Sequence, residues 1–191
     1  MRIIVGISGA TGAILGVNLV RALRMQPDCE VHLIISEGAE KTFKYESSIT
    51  TQEVIACATH YHRIDNLGAP VSSGSFKTEG MVVIPCSMKT LAGIVSGYSD
   101  NLLLRAADVC LKERRKVVLV PRELPFSTIH LENMDKAARS GCIICPPVMT
   151  FYNNPETIQD MINHLIGKIM MMFGLEFTEF KPWTGNGPLN A

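Results

Sequence analysis

The chain opens Met1-Arg-Ile-Ile-Val-Gly6-Ile-Ser-Gly9-Ala-Thr-Gly12-Ala-Ile-Leu-Gly16, and this stretch decides the fold. Residues 3–7 are a short apolar run that reads as a buried strand. Residues 13–25 carry Ile14, Val17, Leu19, Val20 and Leu23 on one stripe, which predicts an amphipathic helix. Between them lie glycines and the hydroxyls of Ser8 and Thr11. A glycine-rich turn after a strand and before a helix lets backbone approach a ligand closely. The helix start adds unpaired N–H groups and the positive end of a dipole. The turn therefore reads as a phosphate or pyrophosphate cradle, with a tight turn that binds nothing as the alternative. It matches neither G-x-G-x-x-G nor the P-loop pattern, because no Lys-Ser/Thr follows.

The same alternation continues outward. Strands are predicted at residues 31–35, 81–84, 117–120 and 142–145. Helices are predicted at 37–45, 52–58, 88–96, 102–113, 128–140 and 155–173. Residues 60–79 read as loop with short extended pieces, and the tail from about 174 as irregular. Continuous apolar strands separated by helices predict an α/β fold, a Rossmann-like three-layer αβα sandwich around a parallel sheet. Residues 1–191 read as a single domain. Strand order does not follow from the pattern.

Composition bounds the rest. Lys and Arg number 18 against 18 Asp and Glu, so no basic surface for nucleic acid or anionic membrane is predicted. Charged residues are 19%, below the roughly 25% usual for globular domains, which predicts surface buried against other subunits. The opening apolar run is too short and too interrupted for a signal peptide, and no stretch is long enough to span a bilayer. The six cysteines are scattered, which points to reduced thiols and a cytoplasmic chain. Cys142-Ile-Ile-Cys145 is formally C-x-x-C, but its apolar interior reads as a buried strand rather than a redox or zinc site.

In open parallel sheets, ligands bind beyond the carboxyl ends of the strands. Those ends here are followed by Ser36-Glu37, by Pro85-Cys-Ser-Met-Lys-Thr90, by Pro121-Arg-Glu-Leu-Pro-Phe126 and by Pro146-Pro-Val-Met-Thr-Phe-Tyr152. Ser87 and Thr90 mark a second helix start suited to an anion. Arg122 and Glu123 are adjacent charges able to clamp a phosphate and trade a proton, or to order the loop as an ion pair. Two such helix starts with an apolar lining suggest a mononucleotide such as FMN. Glu37 keeps NAD open as an alternative.

Ser-Gly-Ala-Thr-Gly, Pro-Cys-Ser-Met-Lys-Thr-Leu-Ala, Asp-Asn-Leu-Leu-Leu-Arg-Ala-Ala-Asp-Val, Pro-Arg-Glu-Leu-Pro-Phe-Ser and Phe-Tyr152 together resemble the UbiX flavin prenyltransferases, over about residues 1–183. The subgroup formerly named after phenolic acid decarboxylase is most similar. The resemblance implies a metal-independent enzyme that joins the dimethylallyl group of dimethylallyl phosphate to N5 and C6 of reduced FMN. The product, prenylated FMN, serves UbiD-type decarboxylases. The resemblance also implies a homododecamer with sites at subunit interfaces. FMN contacts fall on Gly9, Ala10, Thr11, Ser36, Ser87, Met88, Lys89, Thr90 and Arg122. Prenyl-phosphate and catalytic positions fall on Glu46, Arg105, Lys112, Glu123, Tyr152 and Lys168. On pattern alone, Arg105 and Lys112 are a solvated basic face, Lys168 a solvent-facing helix residue and Tyr152 a loop anchor. His130 reads as a structural residue at a helix start. Thr11 stands where many members have Ser, and Lys168 where some have Arg, which loses the bidentate fork. The alternatives are a non-catalytic FMN carrier and a flavin-dependent cysteine decarboxylase. The second expects an early histidine that the first helix lacks.

Overall fold

The computed structural model describes residues 1–183 and Gly185. Six parallel strands form one sheet: β1 (Arg2–Ile7), β2 (Glu30–Ile35), β3 (His60–His62), β4 (Gly80–Cys86), β5 (Lys116–Pro121) and β6 (Cys142–Ile144). The order is β3-β2-β1-β4-β5-β6. Among the described residues seven α-helices connect and follow them: α1 (Ala13–Arg24), α2 (Glu37–Glu46), α3 (Thr51–Cys57), α4 (Met88–Ser96), α5 (Leu102–Lys112), α6 (Thr128–Arg139) and α7 (Ile158–Met172). This is the predicted Rossmann-like three-layer sandwich. The chain winds outward from β1 to β3, then returns to place β4 on the other side of β1. The carboxyl ends of β1 and β4 therefore flank the topological switch point, where such sheets bind ligands.

The strands are apolar throughout because both faces are covered. All seven residues of β4 are buried, as are five of six in β1, β2 and β5. On one face Ile4, Ile34, Met81 and Leu119 pack under Leu103, Ala106 and Cys110 of α5. Val17, Leu19 and Val20 bury the apolar stripe of α1. Contact between α1 and the sheet depends on Gly16. A Cβ there lies 2.6 Å from the Ile84 carbonyl oxygen and 2.8 Å from Ile7 Cδ1. Alanine favours helix by about 1 kcal/mol over glycine, but the clash is with backbone and wins. Gly16→Ala is expected to destabilise the fold by about 1–3 kcal/mol in urea unfolding.

Most predicted bounds shift by a residue or so, and three elements differ more. β3 is one short extended piece of the segment 60–79, and it joins the sheet edge by pairing His60 with His32. β4 runs on through Pro85, where the Ile84–Pro85 peptide is cis and the register with β5 shifts between Val83 and Cys86. α7 starts at Ile158 rather than at Pro155, because Thr157 and Asp160 form a capping box. Burial, together with His60 and His62, pushes the His32 imidazole down to about 4.

The described chain falls into two compact units, Met1–Pro146 and Pro147–Ala191. Among the described residues of the second unit, α7 is its one regular element, and Phe180 packs on Gly167, where a Cβ meets its ring at 2.4 Å. The cysteines are thiols rather than disulfides. Burial raises Cys142 to about 11 and pushes Cys86 far up, so neither is a redox nucleophile at neutral pH. Among the described residues, no helix is long and apolar enough to cross a membrane.

Candidate active site

Parallel pairing brings the turns after β1, β2, β4 and β5 to one edge of the sheet. Ser8 ties the first and third of these together. Its hydroxyl donates to the Pro85 carbonyl at 2.9 Å and accepts the Ser87 N–H at 2.8 Å. Ser8 is wholly buried, so it is a tether and not the ligand donor that the sequence suggested.

The turn after β1 also meets the turn after β2. A Cβ on Gly9 falls 2.8 Å from the Cα and carbonyl carbon of Gly38, so the two backbones touch. Only a residue without a side chain permits this approach. It sets Gly9, Ala10 and Thr11 beside Ser36, which caps α2 by accepting the Ala39 N–H at 3.2 Å. Gly9 and Thr11 are exposed at the mouth.

The N-terminus of α1 is not an open anion cradle, however. Glu46, the last residue of α2, accepts the N–H groups of Gly12 at 2.8 Å and Ala13 at 3.4 Å. A carboxylate of the chain itself already sits on the positive end of the helix. Another helix start at this edge is that of α4, beside the switch point. Ser87 caps it, accepting the Thr90 N–H at 3.3 Å and donating to Thr90 Oγ1 at 3.0 Å. Met88 and Lys89 occupy its first turn, where backbone N–H groups precede the first intrahelical bond.

Arg122 follows β5, and its N–H donates to the Cys86 carbonyl at 3.1 Å, holding this loop against the β4–α4 turn. Among the described residues no ion pair joins Arg122 to Glu123. Glu123 instead accepts the Leu124 N–H at 3.1 Å. The loop-ordering ion pair considered from sequence is thus not formed, and the Arg122 side chain is exposed. His130 is structural: its Nδ1 accepts the Ser127 N–H at 3.2 Å in the capping box of α6.

Arg105 is engaged by its own helix and a neighbouring turn, and Lys112 stands apart from this group. Both lie on α5, which returns along the sheet from the β4 side toward the start of β5. Arg105 binds Asp108 at 2.7 Å and the Ser72 carbonyl at 3.3 Å. Lys112 pairs with Glu113 near Gly74, close to where β5 begins. Lys112 therefore lies toward the amino ends of the strands, opposite Gly9 and Ser87.

Tyr152 and Lys168 belong to the second unit, which brings them into one line. The Tyr152 hydroxyl lies 3.1 Å from Nε2 of buried His164, and Lys168 stands one turn further along α7. Burial and the Lys168 charge both hold His164 below its usual range. Sequence reasoning passed over His164. The signal was its i,i+4 spacing to Lys168 in the apolar second half of α7.

A bare-backbone turn, a capped helix start and an exposed guanidinium at the switch point of a parallel sheet fit a flavin mononucleotide, and they define a flavoprotein. Residues 1–170 match the family model described as Flavoprotein. A probable UbiX-like flavin prenyltransferase of Sedimentibacter hydroxybenzoicus is 58% identical over 97% of this chain and 98% of its own. A dodecameric FMN-dependent UbiX-like decarboxylase from Escherichia coli O157:H7 superposes with a TM-score of 0.95 at 52% identity, covering 97% of this chain and 100% of that one. AnUbiX (PadA1), solved in complex with FMN and dimethylallyl pyrophosphate, gives a TM-score of 0.94 at 49% identity, covering 97% of this chain and 98% of that one. The chain belongs to the UbiX-like flavin prenyltransferases.

Proposed function

We propose that this enzyme joins the dimethylallyl group of dimethylallyl phosphate to N5 and C6 of reduced FMN, making prenylated FMN for a UbiD-type aromatic acid decarboxylase. The observation that carries the reading is the convergence of Gly9, Ser36, Ser87 and Arg122 at the switch point, in a chain of this family. Reduced FMN supplies the nucleophilic nitrogen and carbon. The chain's residues bind, orient and move charge. Gly9, Ala10, Thr11 and Ser36 offer backbone and hydroxyl contacts to the flavin. Ser87, Met88, Lys89 and Thr90 present the α4 N-terminus to its phosphate, with Arg122 beside it. Breaking the carbon–oxygen bond of the prenyl phosphate builds charge on the leaving phosphate, and Arg105, Lys112 and Lys168 are the cations to absorb it, with Tyr152 as a hydroxyl donor. Glu123 carries the proton that the phosphate or the flavin exchanges.

One chain holds Lys112 away from the switch point, so the reading needs this residue from a neighbouring copy. That requirement, the low charge content and the dodecameric relative together support a homododecamer. All 191 residues act as one flavin-binding domain in this reading, and the enzyme works in the cytoplasm, where six thiols stay reduced.

Anaerobic incubation with reduced FMN and dimethylallyl phosphate, followed by mass spectrometry, tests the reading. The expected result is a flavin heavier by one isoprenoid unit. Unmodified flavin, with the pyrophosphate donor also tried, overturns prenyl transfer and leaves a carrier role.

A further inference from the structure

At the amino ends of β2 and β3 lies a cluster that this activity does not use. The strands are parallel and pair His32 with His60 and Ile34 with His62. Side chains two apart on a strand share a face, so Glu30, His32, His60 and His62 project to the same side of the sheet. His32 is buried, 4% exposed, and its Nε2 has no hydrogen-bond partner among the described residues. Its other nitrogen, Nδ1, lies 3.0 Å from His62 Nε2. Nε2 faces Glu30 Oε2 at 3.6 Å, longer than an ordinary hydrogen bond. In the tautomer whose Nδ1–H donates to His62, the Nε2 lone pair and the Glu30 carboxylate converge on a position suited to a cation. His60 completes the set: one ligand atom each from Glu30, His32 and His60 lie within 4.8 Å of one another.

We infer that Glu30, His32 and His60 bind a divalent transition-metal ion of the zinc class at the β2–β3 edge, with His62 orienting the His32 ring. Two imidazoles and one carboxylate are a donor set that zinc accepts, leaving one position open. Zinc bonds of about 2.0–2.2 Å place tetrahedral ligands roughly 3.3 Å apart, so exposed His60, whose ring stacks on His32 with centroids 4.7 Å apart, turns and moves inward to close the site. An imidazole ligand whose second nitrogen is held by a hydrogen bond is fixed in tautomer and orientation, and His62 does this for His32. Phe76 walls the site with its ring edge-on to His32 at 4.9 Å. Arg2 is the competing cation: its Nε donates to Glu30 Oε2 at 2.9 Å and its guanidinium lies 5.2 Å from the Phe76 ring centre. The metal takes the other carboxylate oxygen or displaces Arg2. The site serves structure or regulation, since it lies at the opposite end of the strands from the flavin residues.

The test is zinc titration of the full chain after chelator treatment, followed by anomalous scattering from zinc-soaked crystals. One zinc per chain is expected, with its peak between Glu30, His32 and His60. His60→Ala and Glu30→Gln are expected to weaken binding more than tenfold, and His62→Ala by about 10–100-fold. Arg2→Gln is expected to tighten it, by releasing Glu30. Prenyl transfer is expected to be unchanged in all four variants. Cobalt substitution without a thiolate charge-transfer band separates this site from Cys29, which is next to Glu30 in sequence. Absence of bound zinc, or equal binding by His60→Ala and Glu30→Gln, overturns the proposal.

Discussion

Replacing Glu123 with Gln is expected to lower the rate of flavin prenylation by about 10²–10⁴, the range set by loss of a positioned proton carrier. FMN affinity is expected to stay within a few-fold of wild type. The structure makes this substitution clean. Among the described residues, the carboxylate's hydrogen-bond partner is the Leu124 N–H, accepted by Oε1 at 3.1 Å. A glutamine oxygen accepts the same bond, so the loop between β5 and α6 keeps its path. The Arg122 N–H to Cys86 carbonyl bond, which ties that loop to the β4–α4 turn, involves no atom of Glu123. What changes is the capacity to hold and release a proton. Single-turnover prenylation followed by mass spectrometry, with flavin affinity from fluorescence quenching, separates the two effects. Unchanged turnover removes Glu123 from proton transfer. A parallel loss of flavin affinity instead makes it a binding residue.

The sequence carried the sheet because continuous burial leaves a direct trace: apolar runs where both faces are covered. It left β3 as an unplaced extended piece because an edge strand of His60-Tyr61-His62 has no apolar run, and its pairing with β2 is a long-range event. The end of β4 was missed for a related reason. Pro85 breaks the local strand signal, while β5, through Cys86 and Pro121, and the Ser8 N–H on the Pro85 carbonyl hold the backbone in place. At the site, the loops after β1, β4 and β5 were readable from position, since ligands gather at strand carboxyl ends. The division of labour among their hydroxyls was not. Ser8 and Thr11 look alike in sequence, yet Ser8 is committed to Pro85 and Ser87 across the switch point. Glu46 carried no local signal at all. Its partners, Gly12 and Ala13, are more than thirty residues away in sequence.

Glu46→Gln is expected to cut prenylation by about 100-fold or more while leaving flavin affinity at or above the wild-type level. The sign of the second effect follows from where Glu46 sits. Its carboxylate accepts the Gly12 and Ala13 N–H groups at 2.8 and 3.4 Å, placing negative charge at the start of α1. That charge repels an incoming phosphate and occupies donors that an anion would otherwise use. A neutral amide keeps the Gly12 bond through its oxygen and removes the repulsion, so binding of an anionic flavin is not weakened. The loss of the charge–dipole interaction costs the fold less than about 1 kcal/mol, so the variant stays folded at assay temperature. A merely structural Glu46 predicts a different pattern: turnover falls with the fraction unfolded, and Glu46→Ala is worse than Glu46→Gln in both stability and activity. A functional carboxylate predicts that Gln and Ala are equally inactive, although Ala alone gives up the Gly12 bond. Thermal melts, flavin affinity and single-turnover prenylation of the two variants side by side decide the matter. Wild-type turnover in Glu46→Gln ends the catalytic assignment and leaves Glu46 as the cap of α1.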